Sequence, residues 1–286
     1  PAGTIKAKVA LAMIWKMLDE FEGNLNDITV IEYSGGGLSL TLAELCHDLK
    51  IKVVLVLMEV TPKSVLQRLA DLGAEVVLTA KERGFWGVME EAIMLSKQNP
   101  DWKFLYQHQN EANFEFHKAI TGSEITNSSI GKIDTWVASI GTGGTLTGVY
   151  AKLKEYYPDV QLHTNMPSEM PYATEQPSNS LPKFAGSGWL GCGKKQMFVE
   201  RFEKSVFKHH LVTFEEAKEA MLDYYIKYGV VLGSSSSANY KTAKKIASEM
   251  GPNQLILTVF PSIGLPEDVK EIEEKSKLKQ DINNQI

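Results

Sequence analysis

The sequence predicts a doubly wound α/β fold of mostly parallel strands joined by crossover helices, on three observations. Short β-branched runs recur along the chain. Longer stretches with apolar residues three and four apart separate them, and glycine-rich turns stand where a strand hands over to a helix. The strand runs are 28–33, 53–58, 75–79, 104–107, 135–140, 160–163 and 255–260. The first helix is read from Val9, Met13, Trp15, Met17 and Phe21, and another from Val65, Leu66, Leu69 and Leu72. Gly73, Gly229 and Gly251 fall where helices need a residue tolerant of left-handed backbone. In open sheets of this kind ligands bind beyond the carboxyl ends of the strands, so the loops that follow strands are where chemistry is sought.

Composition narrows the function classes. With 286 residues the chain is long enough for about two domains. Its 43% hydrophobic and 23% charged content is that of a soluble globular protein. A net charge of -5 supplies no basic field for nucleic acid or anionic lipid. The longest apolar runs, such as 53–58, are strand-sized, so no membrane span is expected. Two cysteines, Cys46 and Cys192, are too few for a disulfide framework or a four-thiolate metal site, which points to a reducing, cytoplasmic setting. The histidines show no metal-ligand spacing. Pro1 is not an initiating methionine, so upstream sequence is expected.

The strongest local signal is Gly141-Thr142-Gly143-Gly144-Thr145, directly after a strand run and before a helical one. Several glycines let backbone amides converge there, the helix N-terminus adds a positive dipole end, and two threonines add hydroxyls. That is the build of a phosphate cradle; taken alone, a glycine-rich strand-to-helix turn with no ligand is the alternative. A dinucleotide fingerprint would need glycine where Leu146 stands, and a P-loop would need lysine where Val149 stands, so NAD and ATP are excluded.

Ser34-Gly35-Gly36-Gly37 also joins a strand run to a helix expected near Ser39, and taken alone it suits either an anion site or a flexible connection. Ser234–Ser237 reads as a capping run before a helix from Ala238. Residues 165–195, rich in proline, glycine and serine, form the longest irregular stretch; within it Gly186-Ser187-Gly188 reads as a turn. The mixed charges after Leu265 read as a solvated helix. Lys6, taken alone, is one basic residue among 30.

Taken in order, these pieces resemble the fold type II pyridoxal-phosphate enzymes, and within them the cysteine synthase (O-acetylserine sulfhydrylase) and cystathionine β-synthase group. Pro1-Ala2-Gly3-Thr4-Ile5-Lys6, followed by an apolar helix, is similar to the segment carrying the family's cofactor-binding lysine. Gly141 to Gly148 is similar to the family's phosphate loop almost letter for letter. Gln107 with Asn110-Glu111-Ala112-Asn113 resembles the stretch whose glutamine faces the substrate. Gly233 to Asn239 resembles a helix-opening serine motif, and Pro261-Ser262-Ile263-Gly264 resembles the turn whose serine meets the pyridine nitrogen.

The resemblance implies a two-domain, tryptophan synthase β-like fold of parallel twisted sheets flanked by helices. A smaller mobile domain, 1–112, would carry the lysine and the substrate loop, and 113–286 would carry the phosphate loop. It implies pyridoxal 5'-phosphate as cofactor, held by Lys6, Gly141, Thr142, Gly143, Gly144, Thr145 and Ser262, with Lys6 catalytic. It places Ser34, Gly35, Gly36, Gln107 and Gly186 against an amino-acid substrate. The implied reaction is β-replacement, a lyase or transferase step making cysteine from O-acetylserine or O-phosphoserine and a sulfur nucleophile, in a cytoplasmic homodimer. Use of homocysteine, or cofactor binding without turnover, are the alternatives. A serine hydroxyl at the ring nitrogen, in place of a carboxylate, suits elimination at Cβ better than transamination.

Three departures stand against the pattern. The Ser34–Gly37 loop lacks the family's Asn/Ser-Thr pair and is about two residues short. Ala7-Lys8 follows the lysine where the family has Asp-Arg, and Leu265-Pro266-Glu267 replaces Glu-Arg-Tyr. A degenerate enzyme and a sequence lacking loop residues both account for these losses; their clustering at loops favours the second.

Overall fold

The computed structural model of the chain describes residues 4–35, 37–128, 131–174, 184–188 and 193–283. Helix α1 (Lys6–Asp19) buries Val9, Ala10, Ala12, Met13 and Ile14 along one face. Then come β1 (Thr29–Tyr33), α2 (Gly37–Leu49), β2 (Lys52–Met58), α3 (Lys63–Asp71), β3 (Glu75–Thr79), α4 (Gly84–Gln98) and β4 (Lys103–Phe104). They build a sheet in the order β3-β2-β1-β4, parallel at every pairing, with Ile31 beside both Val54 and Phe104. Helices cover both faces. Val30, Val53, Leu55 and Leu57 pack on Met13, Leu42 and Leu69, and Ile31, Tyr33 and Val56 pack on Val88, Met89 and Ala92.

Helix α5 (Glu111–Phe116), a π turn over 117–121 and α6 (Gly122–Thr126) lead into the second half. There β5 (Thr135–Ser139), α7 (Gly144–Tyr156), β6 (Gln161–Pro167), α8 (Met197–Arg201), β7 (Val206–Val212), α9 (Phe214–Tyr228), α10 (Ser234–Met250) and β8 (Ile256–Thr258) precede the last helix, α11 (Pro266–Asn283). The second sheet runs β7-β6-β5-β8, again all parallel. Trp136, Ala138 and Ile140 pack on Leu146, Val149 and Leu153 of α7, and the indole N–H of Trp136 is satisfied by the Leu146 carbonyl at 2.8 Å.

Both sheets share one strand order, and it places the site. In each, the chain winds outward from a central strand and then returns to that strand's other side. Strand order therefore reverses between β1 and β4 and again between β5 and β8. A crevice forms at such a reversal, beyond the carboxyl ends. The four loops leaving these strands carry Ser34, Gln107, Gly141 and Ser262.

The α/β class and the parallel sheets agree with the sequence reading, with local corrections. Strand β7 is absent from that reading: Val206-Phe207-Lys208-His209-His210-Leu211-Val212 is an edge strand that leaves Phe207 and Leu211 exposed, so it carries no clean alternation. Strand β6 continues to Pro167, into the stretch read as irregular. Strand β4 pairs over only two residues because Tyr106 turns to φ +53°. Helix α2 starts at Gly37, not near Ser39. Helix α10 starts at Ser234 behind Gly233, with no side-chain cap, so the serines are its buried first turn and not a capping run. The last helix is more than a solvated tail. Ile272 is buried against Met221 and Val231, and Lys218 of α9 reaches Asp268 and Glu271, each at 2.8 Å. Among the described residues no helix is long and apolar enough to cross a membrane.

Candidate active site

Lys6 opens α1, and its backbone N–H donates to Thr4 Oγ1 at 3.2 Å. The strand-like residues before it are tied to the loop after β8: Thr4 bridges Ser262, and the Ile5 N–H donates to the Pro261 carbonyl at 2.7 Å. The lysine and serine segments are thus one unit. The Lys6 side chain then runs between two glycine backbones. A Cβ on Gly37 would lie 3.8 Å from Lys6 Cγ, and one on Gly141 would lie 3.7 Å from Lys6 Nζ. The amine therefore stands at the lip of the glycine-threonine loop. Burial brings its pKa down from 10.5 to about 8.

The loop itself is shaped by close approach. Gly143, at φ +90°, turns the chain into α7, whose N-terminus has no side-chain cap. A side chain on Gly141 would meet the Gly186 carbonyl at 2.8 Å, and one on Gly144 would meet Asn113 Oδ1 at 2.2 Å. The two threonine hydroxyls are held from outside the loop. Asn113 Nδ2 donates to Thr142 Oγ1 at 2.9 Å and to the Gln107 carbonyl at 3.0 Å, joining the turn after β4 to the loop after β5. His117 Nε2 and Thr145 Oγ1 are hydrogen-bonded at 3.0 Å, with the other ring nitrogen on Thr121 Oγ1 at 3.0 Å. The π turn at His117 sets that ring.

Gln107 is buried; its Nε2 donates to the Tyr33 carbonyl at 2.7 Å, which ties the turn after β4 to the end of β1. Next to it His108 stacks on Tyr33 and is hydrogen-bonded to the phenol oxygen at 2.7 Å. His108 and His117 are both lowered to about 3, first by burial and then by the charge of Lys6, so both imidazoles are neutral at physiological pH. Ser34 caps α2, its Oγ accepting the Ser39 N–H at 3.2 Å, and Gly35 faces the Phe85 ring. Gly36 and Cys192 lie outside the described residues. Gly186 adopts φ +71° in a turn tied to the end of β5, where Ser187 Oγ donates to the Ile140 carbonyl at 2.9 Å. Ser262 Oγ lies so close to Gly233 that a Cβ there would approach to 2.1 Å, and Ser236 Oγ donates to the Ser262 carbonyl at 2.6 Å.

The structure thus gathers Lys6, Gly37, Gly141 and Gly186 in one place. It links Thr142 to Gln107 through Asn113 and joins Ser262 to the Lys6 segment. Sequence reasoning passed over Glu32, Tyr33, His108 and His117. Metal-ligand spacing does not pick out either histidine; among the described residues no group of three or more His, Cys, Asp and Glu could hold a metal ion.

The chain matches the pyridoxal-phosphate dependent enzyme family over residues 1–262. It is 31% identical over 267 residues to a cysteine synthase of Staphylococcus aureus (strain Mu50), covering 92% of this chain and 83% of that protein. To cysteine synthase A of Escherichia coli (strain K12) it is 29% identical over 269 residues, with the same coverage. Among solved structures it resembles the O-acetylserine dependent cystathionine β-synthase of Helicobacter pylori, with TM-score 0.84 and 25% identity over 92% of this chain and 83% of that one. The chain belongs to the pyridoxal-phosphate dependent enzyme family, and its fold is that of the fold type II members. The residues present fit the cofactor: a helix N-terminus behind a loop that tolerates no side chain at Gly141 or Gly144, two anchored hydroxyls, of which Thr142 Oγ1 also accepts the Gly144 N–H at 3.2 Å, and a desolvated amine beside them.

Proposed function

We propose that the protein is a cysteine synthase, making L-cysteine from an O-activated serine, O-acetylserine or O-phosphoserine, and sulfide. One observation carries this reading: the Lys6 amine stands 3.7 Å from where a Cβ on Gly141 would be, at the edge of the loop suited to a phosphate. The names of the S. aureus and E. coli relatives support it.

When bound, pyridoxal phosphate supplies an aldehyde that captures amines and a conjugated ring that withdraws electrons from the substrate's Cα. The chain's own residues do the rest. The amides of 141–145 and the Thr142 and Thr145 hydroxyls hold the phosphate, with Asn113 and His117 fixing those hydroxyls. The Ser262 hydroxyl, in the loop tied to the Lys6 segment, would be the group offered to the ring nitrogen. A Lys6 amine titrating near 8 is partly neutral at physiological pH, so it would hold the cofactor's aldehyde and would be the base that takes the substrate's Cα proton on Nζ. Ser34, Gly35, Gln107 and Gly186 line the substrate's side. Across the reaction the Cβ–O bond breaks, the ester group leaves, and a Cβ–S bond forms with sulfide.

The unit 1–112 moves against 113–286 as substrate enters, and the protein works as a homodimer in the cytoplasm. The first sheet, which ends at Phe104, and the second, which starts at Thr135, support the division. The assay is cysteine formation from O-acetylserine and sulfide by cofactor-loaded protein, with Lys6→Ala as control. Cysteine from the wild type and none from the variant is the expected result. Cofactor uptake without product would select binding without turnover, a reading favoured by the short connection between Tyr33 and Gly37. Product with homocysteine but not sulfide would select the cystathionine-forming alternative.

A further inference from the structure

We propose that Glu32 is the positioning residue of the substrate turn: its carboxyl, in the central strand of the first sheet, holds the Tyr106–Gln107 backbone in the conformation that presents Gln107 to the substrate. This rests on the reading that Gln107 meets the amino acid.

Glu32 is wholly buried in β1, on a strand whose other residues from Val30 to Tyr33 are apolar or aromatic. A lone carboxyl there is costly. Among the described residues no cation acts on it. Burial raises its pKa to about 8, and what pulls it back is hydrogen bonding alone: the backbone amides of Tyr33, Gln107 and Tyr106 and the side chain of Gln107. The Gln107 N–H lies 3.4 and 3.3 Å from the two carboxyl oxygens.

The turn needs such a hold. Tyr106 sits at φ +53°, left-handed backbone that an aromatic residue adopts only under outside constraint. Pairing with β1 ends one residue earlier, at the Leu105 N–H on the Ile31 carbonyl at 3.2 Å, so the ladder does not reach the Gln107 N–H. Within the turn the Tyr106 carbonyl accepts the Gln109 and Asn110 N–H groups at 2.8 and 3.0 Å. Outward it is bonded through Gln107 Nε2 to the Tyr33 carbonyl, through His108 to the Tyr33 phenol, and through the Gln107 carbonyl to Asn113 Nδ2, which also holds Thr142, and none of these takes up the Gln107 N–H. Glu32 fastens the turn from the sheet side and Asn113 from the phosphate-loop side. The pose of Gln107 is therefore set by a residue one strand away that does not touch substrate.

Two variants separate positioning from packing. Glu32→Leu fills the space without an acceptor, and Glu32→Gln keeps an acceptor at the same reach. Amide hydrogen exchange is measured on the full-length protein saturated with pyridoxal phosphate. Exchange at Gln107 should accelerate at least about tenfold in Glu32→Leu and stay within about threefold of wild type in Glu32→Gln. In parallel, KM for O-acetylserine should rise about tenfold in Glu32→Leu with kcat and cofactor titration nearly unchanged, and Glu32→Gln should restore it. Wild-type exchange at Gln107 in Glu32→Leu overturns the proposal whatever the kinetics. So does equal loss of KM, kcat and cofactor binding in both variants. If Glu32→Leu does not fold, Glu32→Asp, which withdraws the carboxyl by one methylene, takes the same measurement with the same two outcomes. If wild-type protein makes no cysteine, the functional reading falls, and exchange at Gln107 still decides this one.

Discussion

Removing the Lys6 amine should stabilise the cofactor-free protein. Lys6 is half-buried, and its amine titrates near 8, against 10.5 when solvated. Between those values the unfolded chain binds a proton that the folded one does not, so wild-type stability rises with pH from about 8 to 10.5. Below pH 8 the full penalty of a desolvated ammonium is present. At 1.36 kcal/mol per unit it amounts to roughly 3 kcal/mol, an upper bound because the side chain keeps some exposure. Lys6→Met retains the length and the apolar stem and removes the charge. Urea unfolding of the cofactor-free proteins should find Lys6→Met more stable by up to roughly 3 kcal/mol at pH 7, with the gap closing by about pH 10.5. A melting temperature higher by roughly 5 to 10 °C at pH 7 is the same result in thermal form. A gap independent of pH, or a variant less stable than wild type at pH 7, would refute the reasoning, since either means that the amine is solvated.

Gly144→Ala places a Cβ 2.2 Å from Asn113 Oδ1, so the relay to Thr142 must give way; cofactor affinity by absorbance titration should fall about tenfold or more, and unchanged affinity would count against the loop as cradle. Glu32, raised from 4.5 to about 8, contributes stability that is whole below 4.5 and lost as pH rises through 8. Replacing it with Gln should abolish that fall, a change of up to about 5 kcal/mol over the interval; parallel stability–pH curves for the two proteins would contradict it. Ile272→Ala should cost about 2 to 4 kcal/mol and loosen α11 in hydrogen exchange, whereas a solvated tail would register almost nothing.

The fold was legible where periodicity was strong. β1, β2 and β3 are rich in β-branched residues, β1, β3 and β5 adjoin glycine-marked turns, and the structure places all four within a residue or so of the sequence reading. Strand β7 was not, because an edge strand facing solvent has no reason to alternate, and its register slips at Leu162/His163. The site divides in the same way. Gly141–Thr145 announced itself because amide cradles need glycine in succession, a feature local in sequence. Lys6 did so only in company with the other motifs. Glu32, His108 and His117 left no trace, since what sets them apart is burial near Lys6 and the turn after β4, and tertiary packing creates that environment. The serines at 234–237 misled for a related reason: serine before a helix suits a cap, but these turn inward, and Ser236 holds the Ser262 loop.

The central claim is that Lys6 is the residue that takes the cofactor. Borohydride reduction of protein saturated with pyridoxal phosphate, followed by peptide mass spectrometry, tests it most directly. The pyridoxyl mass should appear on Nζ of Lys6 and vanish in Lys6→Ala. Its appearance on Lys8 or another lysine, or on none, would contradict the account.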